Sequence, residues 1–436
     1  MTTADAPLAP AATDLRTGER SITDYLDQCY DRIETREADI QAWVDGPKDR
    51  SWLEAEATAL ADRYPDPDTR PPLYGVPVGV KDIFHVTGMP TKANSELPPG
   101  ELVGPEAAIV TRLREAGALV GGKTVTTEFA YAHPGPTRNP HDLGHTPGGS
   151  SSGSAAAVAA GMVPVALGSQ TVGSVIRPAT FCGIIGYKPS YGRIPTHGVI
   201  PLSMSVDHVG MFTQDVPGME LAASIGVDDW TPTTPQSQPT LGVPDDAYLK
   251  QASTIGQRAF EAQISMFDSA GYDVRRVEVF PDIETINDRH NRLVAADAAM
   301  AHHDWYEQYA DRYASATAEM IEEGRSVPIE EREAARRGRR SLRARLHETA
   351  DEHDIDVWIA PGAPGPAPEG IDSTGDPTMN LPWTHAGVPT VTAPGGRVDG
   401  LPVGVQMATE FGADERLLAW ADGLADALDA NRTLDV

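Results

Sequence analysis

Glycine-rich turns deliver serine at two places in the middle of this chain. The first is Pro147-Gly148-Gly149-Ser150-Ser151-Ser152-Gly153-Ser154, which runs into an alanine-rich stretch; the second is Gly173-Ser174. Well upstream, Gly75-Val76-Pro77-Val78-Gly79-Val80-Lys81-Asp82 is an apolar run that ends in one lysine. A serine hydroxyl is a weak nucleophile until a neighbouring base takes its proton. A lysine can take it only when neutral, and burial disfavours its charged form. These residues suggest a serine nucleophile with a lysine base. The chemistry is acyl transfer, most simply the hydrolysis of an amide.

The elements that must position these groups read as an α/β layered protein. Ser21 can cap a helix that puts Ile22, Leu26, Cys29 and Ile33 on one face. A second helix is expected over Trp52 to Tyr64, and together they predict an N-terminal helical segment, residues 1–64, packed on a catalytic domain of residues 65–436. The spacing predicts a buried strand over Val76 to Val80, a helix over Ala107 to Ala116 and a strand opening at Leu119-Val120. A small-residue helix is expected over Ala155 to Gly161, then a strand over Met162 to Leu167. Strands alternating with helices argue for a sheet buried between helices. Residues 232–240 read as a linker or surface loop, and Ala252 to Ala350 as mostly helical. Strand character returns at Asp356 to Ala360 and at Thr390 to Ala393, and Leu417 to Leu428 predicts a closing helix.

Composition bounds the setting. A chain of 436 residues, 40% hydrophobic and 22% charged, is that of a soluble globular protein large enough for one big domain or two smaller ones. Met1 to Asp14 shows no signal-peptide pattern. The weakly polar run Ala155 to Gly168 is far short of the about 20 strongly apolar residues of a membrane span. Two cysteines, Cys29 and Cys182, form no disulfide framework and suit a reducing cytoplasm. The net charge of −28 repels nucleic acid and anionic membranes. Of 35 basic residues only Lys48, Lys81, Lys92, Lys123, Lys188 and Lys250 are lysines. An acidic, lysine-poor surface fits a salt-rich host, where screening relieves carboxylate repulsion; a GC-rich genome explains it equally.

The ordered motifs identify a family resemblance. GVPVGVKD from Gly75, PGGSSSGSAAAVAAG from Pro147 and GSQTVGSVIRPATFCGIIGYKPSYGRIP from Gly168 resemble the signature of the amidase signature family of serine amidohydrolases. Flanking pieces such as GGKTVTTEFA from Gly121, GDPTMNLPWTHAGVP from Gly375 and GLPVGVQ from Gly400 are also similar. The resemblance spans about residues 15 to 430. It implies a large mixed β-sheet covered by helices on both faces, with a variable helical region at about 232–375 that shapes the pocket. It also implies Ser174 as nucleophile, Ser150 as a bridging serine after a cis peptide, and Lys81 as base. The backbone N–H groups of Thr171, Val172, Gly173 and Ser174 would hold the oxyanion. Gly149, Ser151, Gln170 and Arg177 would support the loops. No metal and no organic cofactor is implied.

Three departures from the family pattern stand out. The usual aspartate is Gln170, and the arginine usually two residues after the nucleophile is Arg177, three after it. The Asp–Arg ion pair is therefore not expected, although Gln170 can still hydrogen-bond. A usual glycine is Val172, which must keep an ordinary backbone because valine disfavours positive φ. Ser152 replaces another glycine.

Other features carry less. The GGSSSGS loop lacks the G-K-[ST] of a phosphate-binding loop. Ser151, Ser152 and Ser154 read as turn and cap residues, Lys123 and Lys188 as structural, and Cys182 as packed. His302-His303-Asp304 and His347-Glu348 with His353 have no metal-ligand spacing. The run Arg332, Arg336, Arg337, Arg339, Arg340, Arg343 and Arg345 reads as a solvated helix face. The expectation is a stand-alone amidohydrolase acting on a linear, non-peptide amide, compatible with a homodimer. The alternatives are the glutaminase subunit of a tRNA-dependent amidotransferase, a carbamate or urea hydrolase of the same family, and a non-catalytic binding protein on the same scaffold.

Overall fold

A computed structural model describes residues 6–46, 49–98, 100–235, 237–245, 247–428 and 431–436. Parts of the expected N-terminal stretch and of the 232–240 loop therefore lie outside the described residues, as does Lys48. Among the described residues ten strands form one sheet: β1 Pro77–Lys81, β2 Leu119–Thr124, β3 Val165–Gln170, β4 Ile185–Lys188, β5 His208–Thr213, β6 Leu241–Pro244, β7 Val274–Val277, β8 Val357–Pro361, β9 Thr390–Val398 and β10 Leu401–Ala408. Their order is β2-β1-β3-β5-β4-β9-β10-β8-β6-β7. Pairing is parallel at both ends, β2–β1–β3 and β8–β6–β7, and antiparallel between them. Residues on β1 to β6, β8 and β10 are buried along their whole length, whichever face they point to. Since alternate side chains point to opposite faces, both faces of the sheet are covered.

The cover is α1 Leu8–Thr17, α2 Ile22–Ile40, α3 Arg50–Arg63, α4 Ala108–Glu115, α5 Ser152–Ala159, α6 Ile176–Cys182, α7 Val216–Gly226, α8 Thr254–Ser269, α9 Ile283–Ala301, α10 His303–Tyr309, α11 Ser315–Ser326, α12 Ile329–Glu352, α13 Leu381–Ala386 and α14 Asp414–Ala427. Ser21 caps α2 by accepting from the Asp24 N–H. All eight residues of α5 are buried, because only Ser, Gly and Ala side chains with one Val let a helix sit this close to a sheet. Gly153 is fixed by that closeness: a Cβ there would collide with the Ala42 carbonyl and the Val125 backbone nitrogen.

Several elements differ from the sequence reading. β3 begins at Val165 rather than Met162, directly after Pro164, which has no N–H to give a ladder. α5 starts at Ser152, earlier than the alanine run suggests. β4, β5, β6, β7 and β10 are additional strands. β10 is masked by Pro402 and Gly404, where the register with β9 shifts.

The arginine run is corrected in part. Arg332, Arg336, Arg339 and Arg343 recur at helical spacing along one side of α12, where Arg339 is buried and the other three are half-buried. Arg339 is buried and donates through Nε to the His385 carbonyl at 2.9 Å, while Arg343 Nε donates to the Ala386 carbonyl at 2.8 Å. Arg332 and Arg336 flank buried Asp297 at 3.7 and 3.5 Å. Arg337 and Arg340 alone keep the exposed reading. The error came from composition: a guanidinium can be buried where carbonyls and a carboxylate receive its N–H groups.

Candidate active site

β1 and β3 are parallel neighbours, with Val80 beside Leu167, so their C-terminal ends finish together. Lys81 closes β1, and Ser169 and Gln170 close β3. The loop into α5 brings Ser150 to the same place, and the turn into α6 brings Ser174 beside it. Lys81 is completely buried, with Nζ 2.6 Å from Ser150 Oγ and 2.8 Å from Ser169 Oγ. No ion pair involves Lys81 among the described residues. Burial holds its pKa well below the ordinary lysine value; the Asp207 charge opposes this but does not overcome it. Asp207 is itself pushed up to about 6 by burial, against hydrogen bonds from Thr171 Oγ1 (2.6 Å) and the Leu202 and Ser203 N–H groups.

The peptide between Gly149 and Ser150 is cis. Arg177 reaches back to this turn, donating from Nη2 to the Gly149 carbonyl at 2.7 Å and to Thr374 Oγ1 at 3.0 Å. Burial lowers its pKa to about 10. Arg177 therefore supports the Ser150 turn and does not touch Gln170. The neutral Gln170 amide works in both directions. Its Oε1 accepts from the Val175 and Ile176 N–H groups at 2.8 and 2.9 Å, and its Nε2 donates to Thr384 Oγ1 at 2.9 Å.

The first three carbonyls of the turn Thr171-Val172-Gly173-Ser174 are occupied. Thr384 Oγ1 lies 2.7 Å from the Val172 carbonyl, His290 Nε2 lies 3.1 Å from the Thr171 carbonyl, and the Arg177 N–H donates to the Gly173 carbonyl at 3.0 Å. The N–H groups of Val172, Gly173 and Ser174 make no hydrogen bond among the described residues. Val172 keeps an ordinary backbone, as it is not among the residues with positive φ. Gly173 is required for space: a Cβ would collide with Asn380 Oδ1 and approach Pro377. Ser174 is 8% exposed and opens into a cavity of about 1030 Å³. The cavity is walled by this turn, Arg177, residues 131–134, Asn287, Asn291 and Val294 of α9, Met320 of α11 and the loop 372–378. No hydrogen bond joins Ser174 to Ser150 among the described residues.

The remaining polar residues of the region are placed as follows. Ser151 and Ser154 tie α5 to β3, Ser151 Oγ lying 3.2 Å from the Ser169 carbonyl and Ser154 Oγ 2.8 Å from that of Leu167. They are thus cross-links to the sheet rather than helix caps; Ser151, at the N-cap, makes no capping bond. Lys123 pairs with buried Asp82 at 2.7 Å, and Lys188 donates to backbone carbonyls. Cys182 is buried, with its thiol pKa pushed up by desolvation. His302 stacks edge-on against Phe129 and faces the Tyr313 hydroxyl at 3.2 Å. Ser169, Thr384 and His290 were not singled out in the sequence. Ser169 is revealed only by the β1–β3 register, and the other two come from distant helices.

Comparison with known proteins follows the same lines. The family model described as Amidase matches residues 24–418. AtzE, the 1-carboxybiuret hydrolase subunit of Pseudomonas sp. strain ADP, is 34% identical, over 90% of this chain and 92% of its own length. A glutamyl-tRNA(Gln) amidotransferase subunit of Exiguobacterium sibiricum is 30% identical, over 91% and 92%. A crystal structure of an amidase superposes with a TM-score of 0.88 at 32% identity, over 97% of this chain and 100% of that one. The peptide amidase in complex with chymostatin gives 0.82 at 26% identity, over 97% of each chain. With the family model spanning nearly the whole sheet and its helices, this chain belongs to the amidase family, hydrolases of amide C–N bonds.

Proposed function

We propose that this chain hydrolyses a carboxamide through an acyl-enzyme on Ser174, with Lys81 as base and Ser150 as the relay between them. The observation that carries the reading is Lys81: fully buried, paired with no carboxylate, and in contact with two hydroxyls. Burial disfavours the charged form of a lysine so placed, and its neutral form has a lone pair to offer. Ser174 Oγ attacks the carbonyl carbon while its proton passes to Ser150 and the Ser150 proton passes to Nζ. For this the Ser174 side chain turns on to Ser150, a rotamer change that substrate binding would favour. The carbonyl electron pair moves to oxygen, facing the loop N–H groups of Thr171, Val172, Gly173 and Ser174. Collapse breaks the C–N bond, and the proton returns from Nζ through Ser150 to the leaving amine or ammonia. Water then attacks the ester by the same relay and releases the carboxylate.

A stand-alone enzyme is the favoured form, because Gln170 and Val172 depart from the Asp and double-glycine loop usual in the amidotransferase subunit. A second reading places the scissile C–N bond in a urea-type carbonyl, supported by the 34% identity to a 1-carboxybiuret hydrolase subunit. We also propose a catalytic unit of residues 65–436 with residues 1–64 as a packing layer, acting in the cytoplasm on a small-molecule amide. No helix among the described residues is long and apolar enough to cross a membrane. The test is turnover of a panel of amides, ureas, carbamates and esters by the purified chain and its Lys81→Ala variant. The variant should lose amide turnover by more than the about 10²–10⁴-fold of general-base catalysis alone, and ester turnover less. Amide turnover within a few-fold of the parent would remove Lys81 as base.

A further inference from the structure

The turn that carries Ser174 is held from behind by two side chains that the proposed mechanism does not use. In a trans peptide, the carbonyl of one residue and the N–H of the next point in opposite directions. Whatever grips the Thr171 carbonyl therefore aims the Val172 N–H, and whatever grips the Val172 carbonyl aims the Gly173 N–H. The grips are His290 of α9 and Thr384 of α13, neither of which lines the large cavity.

The donor pattern is determined. A carbonyl only accepts, so His290 Nε2 carries a hydrogen and Nδ1 a lone pair. His385 Nδ1, 3.2 Å away, must donate to that lone pair. His385 Nε2 is then an acceptor, and it is buried without a partner. Both rings are wholly buried, and Arg339 and Arg289 stand near the pair. Desolvation, helped by Arg339, holds His290 down to about 3, and desolvation, His290, Arg339 and Arg289 hold His385 down to about 2, so both are neutral at working pH. Thr384 is oriented in the same way. Its oxygen accepts from Gln170 Nε2, so its single hydrogen goes to a carbonyl: that of Val172, at 2.7 Å, is nearer than that of Asn380, at 3.1 Å. A carboxylate at 170 has no N–H to give and would accept that hydrogen itself, so the amide is what keeps it available for the Val172 carbonyl.

We infer that His290, backed by His385, and Thr384, oriented by Gln170, are positioning residues. They fix the direction of two peptide bonds so that the Val172 and Gly173 N–H groups are presented to the oxygen that becomes negative during acyl transfer. The inference rests on the Ser174 reading above. It assigns a task in the reaction to α9 and α13.

The probes are 4-nitrophenyl acetate and an alkyl fluorophosphonate. In the second, Ser174 Oγ forms a bond to phosphorus, fluoride leaves, and the serine proton goes to the base. The phosphoryl oxygen gains charge at the loop in the transition state. His290→Phe keeps the ring and loses the donor; Thr384→Val keeps the shape and loses the hydroxyl. Each should lower kcat and kinact by about tenfold or more, since loss of one oxyanion donor costs about 10²–10³. KM and KI should stay within about a factor of two. Thr384→Ser and His290→Gln should restore most of the loss. The fall should be equal from about pH 6 to about pH 9, because a neutral His290 does not titrate there. Unchanged kcat and kinact, a change confined to KM and KI, or a fall that follows histidine titration would each overturn the inference. If His290→Phe fails to fold, Thr384→Val decides alone. Ser174→Ala is the reference. If it still turns over, the nucleophile reading fails; if it is inert while Thr384→Val matches the parent, only the positioning role fails.

Discussion

Replacing Lys81 with methionine should change how stability depends on pH, and this tests the base without measuring turnover. The folded protein holds Lys81 with a pKa depressed by burial, while an unfolded lysine titrates at about 10.4. Between those values the folded chain has one proton fewer at this position than the unfolded chain. Unfolding then takes up a proton, so this group makes stability rise with pH. One proton corresponds to about 1.4 kcal/mol per pH unit. Lys81→Met keeps an unbranched side chain in the same space and abolishes the proton uptake. Relative to the variant, the parent should gain about 1.4 kcal/mol per pH unit across the range in which the folded lysine is neutral and the unfolded one charged, levelling near about 10.4. Asp207, Lys123 and Lys188 are common to both proteins and cancel in the difference. The assay is urea unfolding followed by tryptophan fluorescence at several pH values, with the two curves subtracted. Parallel curves would mean that Lys81 is charged in the folded protein, and the neutral-base mechanism would be refuted.

Other outcomes follow from the same geometry. A fluorophosphonate should label Ser174 and no other residue, and peptide mapping that finds the adduct on Ser150 or Cys182 would reassign the nucleophile. Gln170→Glu should lower kcat with KM unchanged, because its carboxylate takes the Thr384 hydrogen away from Val172; a parental kcat would count against that network. Gly153→Ala should lower the melting temperature markedly, by more than the about 1–3 kcal/mol of ordinary overpacking, because its Cβ meets backbone on two sides. Melting temperature should also rise from low to molar KCl as the −28 charge is screened, and a flat trend would leave codon usage as the origin of the acidic composition.

The sequence showed most plainly what depends on local backbone. Strand β1 was readable from an apolar run, and the turns into α5 and α6 from their glycines, because turns and close helix packing demand those residues. The three-dimensional partners were less visible. Ser169 reaches Lys81 through a strand register that no local pattern encodes. Thr384 and His290 reach the loop from helices far along the chain, and a lone threonine or histidine has no signature. Arg339 of α12 departs from the solvated reading because charge alone does not reveal a buried carbonyl that waits for it. Strands β6 and β10 were hidden by proline and glycine, which ordinarily argue against a strand interior.

Helix α9 serves two masters. Asn287, Asn291 and Val294 look into the cavity, while His290 among them and Asp297 one turn further on are buried on the inward side. Under the proposed mechanism, one face of this helix meets the substrate and the other braces the turn that attacks it. An exchange of the whole helix between relatives would therefore alter selectivity and turnover together. A library that varies only 287, 291 and 294 offers a way to redirect the enzyme to new amides while its acyl-transfer machinery stays in place.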